Sequence, residues 1–166
     1  MGMDVFSKNG GYFRRTVWVW HPMAQALTEL FPERTTGCTE WHTNSGDGLD
    51  AEQSVLLAEA IDAALLSGEI DRYVKERDAR IAALPDETCR LCKGSGVRRD
   101  KIGKEMGQIK RIITEADHPR HGQVGWCNGC NGVGHIRPPE TWYHLEADDL
   151  REFSAFIRDG GGFEIL

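Results

Sequence analysis

The eight residues CRLCKGSG, 89–96, return as CNGCNGVG, 127–134, so that one phrase, CxxCxGxG, is written twice with its first cysteines 38 positions apart. Two thiolates separated by two residues can reach one metal ion from adjacent corners of a tetrahedron without straining the backbone, so each phrase supplies half of a four-ligand site. After each second cysteine the chain must turn back sharply. Gly94 and Gly96, and likewise Gly132 and Gly134, accept the positive φ that such a turn requires. The spacing therefore predicts one structural Zn2+ per chain held by Cys89, Cys92, Cys127 and Cys130, with two short hairpin arms closed around it. A redox pair of thioredoxin type opens a helix after a strand, whereas glycines follow both pairs here. Four thiolates also fill the coordination shell, which favours a structural role over a catalytic one.

The 34 residues between Cys92 and Cys127 exceed the roughly 15–20 of simple zinc ribbons, so the ion must close a long loop. Within that loop Asp117-His118-Pro119-Arg120-His121 offers two imidazoles, and a mixed set in which His118 or His121 replaces one cysteine is the alternative ligand reading. The fifth cysteine, Cys38, lies far from both phrases and reads as a small buried hydrophobe.

Charge divides the chain. Residues 89–137 carry ten basic side chains against four acidic ones, a net +6 with neutral thiols, while the whole chain is at −6 and the remainder therefore at −12. Such asymmetry bears on partners rather than on fold. With 166 residues, 40% hydrophobic and 28% charged, the chain has the composition of a globular protein with one core and room for an appended module. No run approaches the roughly 18 apolar residues of a membrane span. The opening MGMDVFSKNGGYF lacks a basic segment followed by an apolar one, so no membrane association and a cytoplasmic location are expected. In that reducing compartment paired cysteines hold metal more readily than they form disulfides.

The expected architecture is α+β: a mainly helical body with a few short strands, residues 1–88 and 138–166, interrupted by a basic zinc-bound β-hairpin module at 89–137. The β-rich aromatic run 16–20 reads as a strand. Pro22 suits the first turn of a helix over 23–31 that Pro32 ends, and 33–49 reads as loop. Asp50 with Gln53 three positions later announces a helix over 51–66, broken by Ser67-Gly68. A second helix over 69–84 folds back on it until Pro85. Residues 141–145 read as a strand. Leu150, Phe153, Phe156 and Ile157 mark a last helix that Gly160-Gly161-Gly162 ends before a short tail. Trp18, Trp20 and Trp142 are expected in the core and Trp126 partly exposed.

The phrase CxxCxGxG resembles the cysteine-rich zinc region of the DnaJ chaperone family, where it occurs four times and holds two zinc ions. The likeness covers residues 89–137 alone. It implies the four cysteines as ligands, the glycines as turn formers, one zinc for two repeats, and a zinc hairpin module that binds other macromolecules. The His-Pro-Asp signature of a J-domain is missing, since Met23 follows His21-Pro22 and Arg120 follows His118-Pro119.

No catalytic constellation stands out. Cys38, Trp41 and His42 are neighbours in sequence without an orienting acid, and NSGDGLD lacks the oxygen ligands of a calcium loop. The expected role is therefore non-enzymatic: a protein–protein interaction or regulatory module, such as an adaptor or an inhibitor of the kind made by phages. The alternative is nucleic-acid binding through Arg98, Arg99, Lys101, Lys104, Lys110 and Arg111, with Trp126 beside the second cysteine pair as a further binding residue. Four thiolates around one Zn2+ carry −2, which offsets part of the local positive charge and leaves about +4.

Overall fold

A computed structural model describes residues 2–166. Among them the elements run β1 (Gly2–Ser7), β2 (Tyr12–Thr16), α1 (Val17–Leu30), α2 (Pro32–Thr35), β3 (Asp47–Asp50), α3 (Ala51–Leu66), α4 (Glu69–Ala82), β4 (Glu87–Thr88), α5 (Lys101–Glu105), β5 (His135–Ile136), α6 (Ala147–Arg158) and β6 (Gly162–Ile165). The fold class is α+β. The chain divides into two compact units, one running up to Ala82 and resuming at Glu140–Leu166, the other Ala83–Pro139.

In the first unit β1 and β2 form a hairpin closed by Lys-Asn-Gly-Gly. The Ser7 amide donates to the Gly11 carbonyl at 2.9 Å, and Gly10 takes φ +88°. This Asn-Gly signal, flanked by alternating residues, sets the register that pairs Phe6 with Tyr12 and Gly2 with Thr16. Met3, Val5 and Ser7 face inward on β1 while Phe6 faces out. The C-terminal β6 inserts between β1 and β3, giving an antiparallel sheet in the order β2-β1-β6-β3. Two segments expected as loop and tail, 47–49 and 163–166, thus supply most of the edge strand β3 and of the interior strand β6.

The predicted strand over 16–20 is corrected. The chain leaves the sheet at Thr16 and Val17 already begins α1. Trp20, Met23, Ala24 and Leu27 fall at i, i+3, i+4 and i+7 and are fully buried, so the helical stripe outweighs the β-propensity of the run. Pro22 sits inside α1 and has no N–H for the carbonyl one turn back. That carbonyl, on Trp18, instead accepts from the His144 amide at 3.1 Å. This contact also explains the second correction. Residues 141–145 form no ladder: a 3-10 turn spans Pro139–Trp142, and the following backbone groups pair singly, the Tyr143 carbonyl with the Arg77 guanidinium at 2.9 Å. Pro32, expected as a stop, opens the four-residue α2. Of the tryptophans expected inside, Trp20 is buried, but Trp18 and Trp142 are exposed and meet edge to face at 5.8 Å.

Helix α3 has the expected capping box: the Asp50 carboxylate accepts from the Gln53 amide at 2.8 Å, and the Gln53 side chain accepts from the Asp50 amide. Gly68, at φ +72°, breaks the chain before α4, which packs against α3. Helix α6 lies on α3, with the Ser154 hydroxyl donating to the Ala58 carbonyl at 3.1 Å. Its Phe153 is fully buried at the centre of the core, against the rings of Phe13, Trp20, Trp41 and Phe163. Among the described residues no helix is long and apolar enough to cross a membrane.

Two substitutions gauge these contributions. Phe153→Ala removes the ring at the centre of this aromatic cluster and is expected to lower stability by about 3–5 kcal/mol, whereas Asp50→Ala removes one helix cap and costs about 1 kcal/mol. Urea unfolding followed by circular dichroism measures both, and a larger loss for Asp50→Ala contradicts this placement of the core.

Candidate metal centre

In the second unit the ladder β4–β5 pairs Thr88 with His135 and so carries Cys89 to Gly134, whose carbonyl accepts from the Cys89 amide at 2.9 Å. Each phrase then makes the same turn. Lys93 and Asn131, directly after the second cysteines, take φ +51° and +48°, and the two glycines that follow in each phrase are positive as well. The Ser95 amide donates to the Cys92 carbonyl at 3.1 Å, as the Val133 amide does to that of Cys130 at 3.0 Å.

The glycines have a second reason beyond turning. A Cβ on Gly96 would stand 2.2 Å from the Gly132 carbonyl oxygen, and one on Gly134 would stand 2.3 Å from that of Gly94. The second glycine of each phrase is therefore pressed against the first glycine of the other. The two knuckles pack backbone to backbone through a reciprocal contact that side chains would prevent.

This packing brings four sulfurs together. The Sγ atoms of Cys89 and Cys127 are 3.8 Å apart, those of Cys92 and Cys130 3.6 Å, and all four ligand atoms lie within 4.8 Å of one another. A tetrahedral ion with metal–sulfur bonds of about 2.3 Å needs sulfurs about 3.8 Å apart. A disulfide needs about 2.05 Å, and all four cysteines are free. The donor set fits a thiophilic metal ion, and all four of these cysteines are buried.

Electrostatics separates three of these thiols. Burial pushes Cys130 up to about 12, with the three neighbouring sulfurs adding to the shift, and burial raises Cys127 as well. Burial also opposes ionisation of Cys89, but the amides of Cys92 and Leu91 and the adjoining thiols outweigh it and bring that group down to about 7. Like charges at these distances resist joint ionisation, so a cation must displace protons to gather four thiolates.

The imidazoles considered as alternative ligands lie elsewhere. His118 meets the Asn131 carbonyl through Nε2 at 2.6 Å and accepts from the Arg120 amide at Nδ1, while His121 meets the Glu115 carbonyl. Among the described residues the clustered ligand group is the four cysteines alone.

The basic side chains have unlike fates. Arg98 is buried, its guanidinium held by Asp100 at 2.9–3.1 Å and by Asn128 at 3.1 Å. Trp126 is also buried, contrary to expectation. The Arg111 guanidinium stacks on its ring at 3.9 Å and also bonds Glu115 at 2.7 Å. Lys101 lies 4.0 Å from Glu105; Arg99, Lys104 and Lys110 are exposed. Sequence reasoning missed Asp100, which both caps α5 through the Gly103 amide and holds Arg98. The signal was an aspartate directly before a short helical turn, three residues ahead of the amide it caps. It also missed Arg120, which donates to the carbonyls of Gly96 and Gly132.

In the first unit Cys38 is buried and its thiol is pushed up to about 12 by burial and the nearby Asp47 charge, the opposite of an activated nucleophile. His42 stacks on His21 with ring centres 4.8 Å apart. Asp47, from the NSGDGLD run, spends its carboxylate on the amides of Glu40 and Thr39. Comparison with protein-family models, curated proteins and solved structures finds no match to this chain.

Cys127 and Cys130 hold protons at neutral pH, so uptake of a divalent cation should tighten by at least about a hundredfold per pH unit, tenfold for each proton displaced. Competition titrations between pH 6 and 8 check the sign, and pH-independent affinity contradicts it. Gly96→Ala and Gly134→Ala add carbonyl overlap to the backbone strain of about 1–3 kcal/mol at positive φ and should abolish metal retention. Gly107→Ala, at φ +70° with nothing within 4 Å, meets strain alone and should retain the metal.

Proposed function

We propose that this chain is a non-enzymatic zinc-binding module that docks on another protein, as an adaptor or inhibitor, with one structural Zn2+ holding the shape of its basic unit. Zinc suits the site because four thiolates satisfy its tetrahedral preference and leave no position for water or substrate. The likeness of both phrases to the DnaJ cysteine-rich region supports the same ion and the same kind of role.

One observation carries the docking reading: the second unit exposes large apolar side chains among its cations. Ile102 on α5 and Met106, the residue that follows that helix, are 51% and 58% exposed, and Ile112 and Val124 are each 58% exposed. Ile112 and Val124 form an antiparallel bridge, flanked by hydrogen bonds from the Ile113 amide to the Gln123 carbonyl and from the Gly125 amide to the Arg111 carbonyl. Their side chains therefore share one face. Lys101, Lys104, Lys110 and Arg111 adjoin these residues in sequence. Apolar groups rimmed by cations suit an acidic protein surface better than a phosphate backbone.

Two further observations weigh against nucleic acid as the partner. Trp126 is the only aromatic side chain of Phe, Tyr or Trp type in 83–139 and it is buried, which leaves no such ring for stacking bases. Arg98 is spent on Asp100 and Asn128. The exposed cations Arg99, Lys101, Lys104 and Lys110, with Arg90 and Lys93 nearer the first cysteine pair, are what the nucleic-acid reading retains.

The zinc-loaded protein should capture an acidic partner from cells of its native host. Ile112→Asp with Val124→Asp should weaken binding to that purified partner at least about tenfold. Duplex and single-stranded nucleic acids should bind weakly at low salt. Strong, salt-sensitive binding to nucleic acid that the double variant leaves unchanged would overturn the docking reading.

A further inference from the structure

The loop between the two cysteine pairs returns to the metal centre. Its Arg120 donates from one nitrogen, Nη1, to the carbonyls of both Gly96 and Gly132, each at 2.9 Å. Those glycines belong to different knuckles, are buried, and already touch: the Gly132 oxygen is the atom that a Cβ on Gly96 would strike first. Two carbonyl dipoles converging on one point repel one another, and a guanidinium placed between them turns that repulsion into a double attachment.

The loop holds Arg120 in place from several sides. Its Nε donates to the Gln123 side chain at 3.1 Å, and its amide donates to His118 Nδ1 at 2.9 Å. With Nδ1 accepting, the His118 proton sits on Nε2, which donates to the Asn131 carbonyl at 2.6 Å, directly after the last cysteine. The His118 ring also lies 5.5 Å from the Trp126 ring, and Gly132 is seated against both. From the same loop, then, one side chain ties the two knuckles to each other and a second fixes the turn after Cys130.

From this we propose that Arg120, supported by His118, is a positioning residue for the metal centre: a clamp that keeps the two cysteine knuckles in register and slows the loss of the ion, without itself being a ligand. The long insertion is then part of the metal site rather than an independent finger. The proposal rests on the reading that the four cysteines hold zinc, and it concerns the retention of that ion.

Retention of Zn2+ by the full-length chain against a chromogenic chelator tests it, together with the absorption spectrum after Co2+ substitution. Arg120→Ala should release zinc about 10- to 100-fold faster than wild type, the range usual for partners that orient ligands. Its Co2+ spectrum should keep the sulfur-to-metal band of four thiolates, and its far-ultraviolet circular dichroism should be unchanged. Arg120→Lys keeps the charge but not the planar fork, so its release rate should fall between the two. His118→Gln, whose amide can still donate toward Asn131, should lose less than His118→Ala. Release at the wild-type rate from either Arg120 variant would overturn the clamp, and so would a changed Co2+ ligand band, which would make Arg120 a determinant of the ligand set. A wild-type protein that takes up no zinc would instead overturn the reading of the four cysteines.

Discussion

The second unit depends on a contact that ordinary residues cannot make, the reciprocal seating of one knuckle's glycine on the other knuckle's carbonyl. With Gly96 under the Gly132 oxygen and Gly134 under that of Gly94, the two turns approach closely enough for sulfurs from both to meet at 3.6 and 3.8 Å. Four sulfurs at that distance are a poor arrangement without a cation, because burial and mutual repulsion hold Cys127 and Cys130 in the protonated form. The backbone therefore assembles a site whose electrostatic need is a soft divalent ion. Glycine geometry and thiol chemistry make the same demand on the chain.

The surroundings of the centre serve that geometry in different ways. Arg120 bridges the two knuckles from the loop, the Arg98–Asp100–Asn128 group fastens one knuckle's exit to the other's CxxC turn, and Arg111 covers the buried face of Trp126. Of the cations that make this region basic, Arg98 is thus buried and Arg120 half-buried, while Arg111 is exposed but engaged with Glu115 and Trp126. A surface reading of the charge surplus overstates what is offered to a partner. What remains outside is a mixture of lysines, Arg90, Arg99, Arg111 and exposed aliphatic side chains.

Sequence patterns revealed those parts of the fold whose causes are local. The Asp50–Gln53 capping box, the Ser67-Gly68 break and the apolar spacing of α6 each involve residues within a few positions, and each stands in the structure as read. The convergence of the four sulfurs was also legible, because CxxCxGxG repeats both the ligands and the turn that presents them. What escaped detection depends on distant partners. Strand β6 is interior only because β1 and β3 flank it, and β1 comes from the far end of the chain. Val17 to Trp20 looks extended by propensity, yet Trp20 joins a helical stripe, and the carbonyl that Pro22 leaves unpaired is satisfied by His144, more than 120 residues away. Arg120 looked like an ordinary loop cation beside two histidines. Its acceptors become visible only once the knuckles are folded.

The most direct measurement of the central claim is X-ray absorption at the metal edge of untagged protein purified without added metal. The account predicts one zinc per chain with four sulfur neighbours at about 2.3 Å and no nitrogen or oxygen in the first shell. Protein that carries no stoichiometric metal, or a shell in which a lighter atom replaces one of the sulfurs, would contradict it.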